Sequence, residues 1–480
     1  MKYSYTYAEA RKADETTMAG GVSEETLMER AGAALASHVE RVMEERNIPD
    51  VLFVCGGGNN GGDGLVAARC LREKGKDAEA LLLAERLSDG CKRALEKFGG
   101  EVFGRPPRRR YLLLVDCVLG TGCTRPPEGE KKLLVDFING MGAYVIACDV
   151  PSGLTENGIA AGSVVRADET VTFGYKNALL LADGADVAGK ITAVDIGISP
   201  VYRGAEVWEA GDVSPLFPKR KSHSNKGDYG SAALYAGSRS ASGAAFLAAS
   251  GCFRSGAGYT RLFVPEELFP SAVGKLPAAL LAPFTRAEEL LRDTAIAFGM
   301  GSGVTEENYR VLCTLLRDYR WTLILDADGL NTLATYGAEA LKEKACNVVI
   351  TPHPKEFSRL TGKAVGEVLG NAKELTEAFA REYGCIVLLK NNRSIVSDGV
   401  RTAIVTTGSP ALAKGGSGDV LAGFLAGTCA RGVPPFEAAC ASSYLVGKAG
   451  EIAGEALGEY AVTASDVIEF LPQAILSLQQ

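Results

Sequence analysis

Histidine and tryptophan are nearly missing from this chain: His38, His223 and His353 are its 3 histidines, and there are only 2 tryptophans. Three scattered imidazoles exclude a histidine-rich zinc site. The 12 cysteines form no Cys-x-x-Cys pair. Cys55, Cys117 and Cys148 fall in apolar, strand-like runs, so buried reduced thiols and a reducing compartment are expected. Basic residues are outnumbered by acidic ones, 51 to 58. The formal net charge of −7 argues against a nucleic-acid protein, which would carry a basic face. The one local basic run, Arg108 to Arg110, reads as a solvated loop. No apolar run is long enough to span a bilayer, and the opening MKYSYTYAEARKAD has no apolar signal-peptide core. A soluble, cytoplasmic protein with no membrane partner is expected.

What is present points to layered α/β domains. A chain of 480 residues exceeds one ordinary core, so two or three domains are expected. Hydrophobic residues at 46% and charged residues at 23% suit an ordered globular chain. The 57 glycines suit repeated tight strand-to-helix turns. In the first half, 24–46 has helical periodicity, with Ser23 as its N-cap. Apolar runs at 51–55, 80–83, 111–115 and 143–148 read as buried strands, and 64–73 as a helix. Such runs separated by helices predict a parallel sheet covered on both faces. The polar, basic, proline-containing segment PLFPKRKSHSNKG breaks the pattern, which places the division at 212/213. Beyond it, strands are expected at 231–236, 295–298, 322–325, 348–350 and 386–389. Helices are expected at 242–255, 419–430 and 435–453.

The first candidate site is the turn GGGNNGGDG, Gly56 to Gly64, between a strand and a helix. Glycines there admit φ > 0 and close approach of a ligand, and helix N-terminal amides favour an anion such as pyrophosphate. Asn59 and Asn60 add polar side chains, and Asp63 can hold a ribose hydroxyl. Two further segments, Asp116-Cys-Val-Leu-Gly-Thr-Gly122 and Asp149-Val-Pro-Ser-Gly153, end strands on the same presumptive sheet edge, where ligands of open α/β sheets gather. Their carboxylates could hold an oxygen-coordinated cation or serve as acid and base; each Asp alone could equally cap a helix or form a turn.

The second candidate site is Lys414-Gly-Gly-Ser-Gly-Asp-Val-Leu-Ala-Gly423. Loop amides would form an anion hole beside the carboxylate of Asp419, although the same string could be a glycine loop with an N-capping Asp. Four other segments accompany it: KGDYG (226–230), SGAA (242–245) leading to RSGAG (254–258), LDADGLN (325–331) and TPHPKEF (351–357). His353, between two prolines, could simply brace a turn. Asp326 and Asp328 could cap the following helix or touch magnesium. KNNRS (390–394) could be a hairpin turn.

GGGNNGGDG, DCVLGTG and DVPSG, in that order and preceded by ADETTMAGG…LMERAG, resemble the epimerase domain of the bifunctional NAD(P)H-hydrate repair enzymes. GGSGD-x-L-x-G resembles the ribokinase-type loop, and with the four accompanying segments it resembles the dehydratase domain of the same family. The resemblance covers nearly the whole chain. It implies a Rossmann-like domain over 1–212 and a ribokinase-like domain over 213–480. In the first, Asp149 would be the acid/base at C6 of the hydrated ring. Asn59, Asn60, Gly61, Gly62 and Asp63 would hold the substrate, with Gly120, Thr121, Gly122, Cys123, Thr124, Arg125 and Pro126. Asn60, Asp116 and Ser152 would bind potassium. In the second, Ala244, Gly301, His353 and the catalytic Asp419 would contact the hydrate. Lys390, Asn391, Asn392, Arg393, Ser394 and Gly418 would contact ADP, which would bring magnesium. The implied partners are small molecules, and a homo-oligomer is the expected assembly. Met300, Ser302, Lys355, Ser409, Ala411 and Ser417 depart from the family pattern, which bears on substrate-loop detail more than on the reaction. A ribokinase-type kinase of a vitamin-like alcohol, fused to a nucleotide-binding domain, is one rival reading; a non-catalytic nucleotide sensor is the other, against which the acids Asp149 and Asp419 argue.

Overall fold

Strand β2 (Asp50–Cys55) shows how the first layers form. Side chains alternate across a strand. Val51, Phe53 and Cys55 enter a core built with the helices Glu24–Glu45 and Asn59–Glu73. Leu52 and Val54 enter the opposite core, with Leu134, Val135 and Ile138 of the helix Gly129–Gly140. A strand buried on both faces must read as continuous apolar sequence, and it does.

The computed structural model describes residues 2–160, 162–181, 184–199 and 204–479. They form two compact units, Lys2–Ala205 and Glu206–Gln480. In the first, β1 (Lys2–Tyr5) pairs with β8 (Tyr175–Lys176). The main sheet takes β2 with β3 (Asp77–Leu82), β4 (Val102–Phe103), β5 (Leu113–Cys117), β6 (Tyr144–Cys148), β7 (Glu169–Thr172) and β9 (Lys190–Ala193). Its order is β4-β3-β2-β5-β6-β7-β9, all parallel. The chain leaves β2 towards β3 and β4, then returns to place β5 on the other side. The topological switch therefore lies between β2 and β5, where ligands of such sheets bind.

In the second unit the strands are β10 (Ala205–Trp208), β11 (Ser231–Tyr235), β12 (Tyr259–Val264), β13 (Leu280–Pro283), β14 (Ala295–Phe298), β15 (Thr322–Leu325), β16 (Asn347–Ile350), β17 (Ile386–Leu389), β18 (Ile395–Ser397) and β19 (Thr402–Val405). Their order is β13-β12-β11-β14-β15-β16-β17-β18-β19-β10, antiparallel only around β18. The switch here lies between β11 and β14. The helices Ser242–Ser255 and Ser417–Ala430 pack closely because Gly423 leaves no space for a side chain against the Ala248 carbonyl.

Three expectations are corrected. Residues Glu206–Trp208 pair with β19, which carries the division back from 212/213 to 205/206. Arg109 is not simply solvated: it pairs with Glu79 and Asp50 and lies over the Tyr111 ring. The helix expected to start at Gly64 starts at Asn59, so most of the glycine run lies inside it.

Candidate active sites

No glycine from Gly56 to Gly64 has positive φ; packing is what demands all of them except Gly58, where a Cβ would meet open space. A Cβ on Gly61 would collide with the Gly56 carbonyl. One on Gly62 would sit 2.6 Å from Met28, and one on Gly64 would sit 2.6 Å from the Cys117 sulfur. The helix start is thereby pressed against the sheet edge.

Asn59 is tied down at the surface. Its amide donates to Glu24 at 2.8 Å, and it accepts from Ser88 at 2.8 Å. Asn60 differs: its side-chain Nδ2 is buried with no partner, and its Oδ1 lies 3.3 Å from where a Gly120 Cβ would be. Asp116 is fully buried at the end of β5. Its carboxylate accepts from Ser152 N (2.8 Å), Ser152 Oγ (2.6 Å) and Val118 N (3.2 Å). Burial nevertheless pushes its pKa up to about 6 against those three bonds. The Asp116 carboxylate and the Ser152 hydroxyl are hard oxygen donors of the kind that fits a cation such as potassium.

The loop after β5 carries Gly120 to Pro126. Cys123 N closes a turn on the Gly120 carbonyl at 3.1 Å, and the Cys123 side chain is buried. Arg11 donates to the Thr121 carbonyl at 2.7 Å, fastening the helix Tyr7–Ala19 to this loop. Gly122, Thr124, Arg125 and Pro126 are exposed.

Asp149 follows β6 with φ +65°, a left-handed conformation unusual for a residue other than glycine. Its Oδ1 accepts from Thr172 Oγ1 (3.1 Å), Phe173 N (3.2 Å) and Lys176 Nζ (2.6 Å), leaving Oδ2 clear of those donors. Lys176 was not anticipated. It is only 4% exposed, and Asp149 is its ion-pair partner. Two more acids belong to this cluster. Burial pushes Asp63 well above the usual carboxylate range, with Asp149 and Asp14 adding repulsion. Burial also raises Asp14 to about 6, Lys176 opposing and Asp149 reinforcing. Tyr7 is fully buried and donates to the Leu154 carbonyl at 3.1 Å. The only sequence signal for Lys176 was a single lysine inside the apolar run TVTFGYKNALLL.

In the second unit the N-cap of the helix Ser417–Ala430 is Gly416, at φ +98°. Asp419 stands three residues in and makes no capping bond, so the capping alternative fails. Burial raises its pKa to about 7, with Asp326 as the next cause and Lys390 opposing. Ala244 and Gly301 are brought together: a Cβ on Gly301 would lie 3.0 Å from that of Ala244. His353 does brace a turn. It caps the helix Pro354–Thr361 through Nδ1, which accepts from Lys355 N (3.1 Å) and Glu356 N (3.3 Å). An accepting Nδ1 puts the proton of the neutral ring on Nε2. Burial holds the imidazole pKa below its ordinary value, Lys390 reinforcing, so this ring is a neutral donor.

KNNRS is indeed the turn of the hairpin β17–β18. Within it Arg393 donates to the Gly408 carbonyl at 3.2 Å, Ser394 is buried, and Asn391 and Asn392 reach the surface to different degrees. Lys390, at its start, bonds Asp326 at 2.6 Å and lies 3.1 Å from where a Gly418 Cβ would be. Asp326 caps no helix, for Ala327 is the N-cap of Asp328–Tyr336. Asp328 accepts from Gly303 N at 2.8 Å. Among the described residues, no group of three or more His, Cys, Asp or Glu side chains is arranged as a metal site.

All 12 cysteines are free, and 10 of them are buried. Among the described residues no helix is long and apolar enough to cross a membrane.

Comparison with known proteins finds matches to each of the two units. The NAD(P)H-hydrate dehydratase family profile matches residues 232–473, and that of the YjeF-related protein N-terminus matches residues 24–178. The bifunctional NAD(P)H-hydrate repair enzyme Nnr of Thermofilum pendens is 35% identical over 96% of this chain and 93% of its own. That of Escherichia coli is 31% identical over 88% of this chain and 84% of its own. A crystal structure of the ADP/ATP-dependent NAD(P)H-hydrate dehydratase of Bacillus subtilis, co-crystallised with ATP and Mg2+, superposes with a TM-score of 0.52 at 29% identity. It covers 57% of this chain and 99% of that one. With glycine-braced switch points in both units and relatives that match along almost its entire length, the chain belongs to the bifunctional NAD(P)H-hydrate repair enzymes.

Proposed function

We propose that the first unit epimerises hydrated NADH and NADPH at C6, and that the second dehydrates the S epimer with ADP, giving NADH or NADPH, AMP and phosphate. The observation that carries this reading is that each unit presents, at its sheet edge, a carboxylate free of capping duty: Asp149 in one and Asp419 in the other.

In the epimerase the C6 hydroxyl is attached beside the ring nitrogen. Asp149 Oδ2 takes the hydroxyl proton, the C6–N bond opens, and reclosure on the other face returns the proton; no atom is gained or lost. Lys176 fixes the Asp149 carboxylate through Oδ1 and compensates its charge as the proton comes and goes. Asp63 and Asp14, both raised by burial and by repulsion from Asp149, complete the carboxyl cluster around that residue. Asn60, Asp116 and Ser152 would hold potassium, which supplies a fixed positive charge for the anionic dinucleotide.

In the dehydratase the backbone amides of Gly416 to Gly418 receive a phosphate at the helix N-terminus. Asp419 takes the proton of the C6 hydroxyl as that oxygen bonds to the terminal phosphorus and the bond to AMP breaks. The ring nitrogen then expels phosphate from C6, and loss of a proton from C5 completes the dihydronicotinamide. Lys390 lies beside Gly418 as a counter-charge, and His353 Nε2 is a neutral donor to the substrate. Magnesium would come in on the nucleotide phosphates and neutralise them during transfer. The test is to mix protein, ADP and epimeric NADH hydrate. Recovery of dihydronicotinamide absorbance with equal AMP and phosphate is expected. A released phosphorylated alcohol, or ATP consumed far faster than ADP with ADP as product, would overturn the reading.

A further inference from the structure

Asp326 has no role in the chemistry above, yet its side chain is buried, only 2% exposed, and paired with Lys390. It ends β15, and its Oδ1 accepts from Lys390 Nζ (2.6 Å), which follows β17, and from Thr351 Oγ1 (2.8 Å), which follows β16. A Cβ on Gly418 would lie 3.1 Å from Lys390 Nζ and 3.6 Å from Asp326 Oδ2, so the ion pair rests directly on the glycine loop. The backbone that carries Asp326 is fixed. Asp326 N donates to the Phe298 carbonyl (3.2 Å), and Asp328 N donates to that of Gly299 (3.1 Å). Between them Ala327 is held at φ +48°, a strained conformation that persists only where surroundings over-determine it.

A buried ion pair is weak evidence for stability, because desolvation offsets most of the attraction. Its position matters more. Lys390 is surrounded by Asp326, Glu356 and Asp419, and it faces a helix N-terminus whose partial positive charge repels an ammonium. Without a fixed counter-charge the ammonium would turn away from the loop or give up its proton. We propose that Asp326 is a positioning residue of the dehydratase, holding Lys390 over the first turn of the helix Ser417–Ala430 until a nucleotide phosphate takes the ammonium over. This rests on the reading of the second unit as nucleotide-binding.

The experiment measures ADP–Mg2+ binding by calorimetry in the whole chain and in Asp326→Ala, Lys390→Ala and the double variant. Asp326→Ala is expected to weaken ADP about tenfold, a loss readily resolved. In the Lys390→Ala background it should add nothing, because both substitutions remove one device. Independent, additive losses would mean a merely structural role and overturn the proposal, as would unchanged or tighter ADP binding in Asp326→Ala. Asp326→Asn, which keeps the shape, serves if the alanine variant unfolds; it should weaken ADP too, with an unchanged unfolding midpoint and KM for the hydrate. A parent that binds ADP yet returns no NADH counts against the dehydratase reading alone. A parent and Asp326→Asn that bind ADP equally count against Asp326 alone.

Discussion

Asp419 sits where two electrostatic effects oppose each other. A helix N-terminus favours a carboxylate, whereas burial and the nearby Asp326 disfavour it. Burial wins, and the group titrates near 7. Acting as a base, it must be ionised, so kcat/KM for dehydration should fall about tenfold per pH unit below that point, and Asp419→Asn should abolish turnover at every pH. The same shift has a sign for stability. A carboxyl with a folded pKa above its unfolded value penalises folding once it ionises, and the penalty is complete above pH 7 and gone near pH 4. Asp419→Asn should therefore raise the unfolding midpoint at pH 8 and lose that advantage as the pH falls towards 4. A midpoint gain independent of pH, or wild-type turnover in the variant, would remove Asp419 from its role.

The glycine-turn helix Asn59–Glu73 shows what an element's sequence can hide. Alanine is favoured over glycine inside a helix by about 1 kcal/mol. At Gly61 that gain is opposed by collision with the Gly56 carbonyl, and overpacking of this kind costs about 1–3 kcal/mol. Gly61→Ala is thus expected to destabilise the first unit and abolish epimer interconversion while dehydration of the accepted epimer continues. An active, unshifted variant would show that the turn tolerates the added carbon. The same residues explain what was legible. Strands such as Ala295–Phe298, Thr322–Leu325 and Ile386–Leu389 were readable to the residue, because parallel strands buried on both faces leave an unbroken apolar run. The helix start at Asn59 was not, because glycine and asparagine signal a turn while only tertiary packing shows why they are helical here. Asp149 and Asp419 could be singled out in the sequence because one directly follows an apolar strand run and the other closes the glycine string GGSGD. Lys176 could not, since a single lysine reads as surface until β8 buries it against Asp149. Tyr111–Val115 was read two residues early because Leu112, although apolar, is exposed outside the strand.

At the scale of the whole molecule, the two units divide one chemical problem. A dehydratase working through a chiral pocket accepts a single C6 epimer, since only one places the hydroxyl in line with the donor phosphorus. The other epimer is inert to it and must first be interconverted, which is a physical reason to carry an epimerase on the same chain. Asp149→Ala should leave initial consumption of the accepted epimer near the parent rate, because Asp419 and its glycine loop are untouched. The other epimer should then disappear only at the slow spontaneous rate. Lys176→Met should act in the same direction, because it leaves the Asp149 carboxylate buried without its counter-charge. Chiral chromatography of the hydrate mixture over time, with ADP present, reads both epimers separately. A variant that clears both as fast as the parent would remove Asp149 from the epimerase. One that clears neither would mean that the dehydratase depends on the first site, and epimer selection alone would no longer account for the pairing of the two activities.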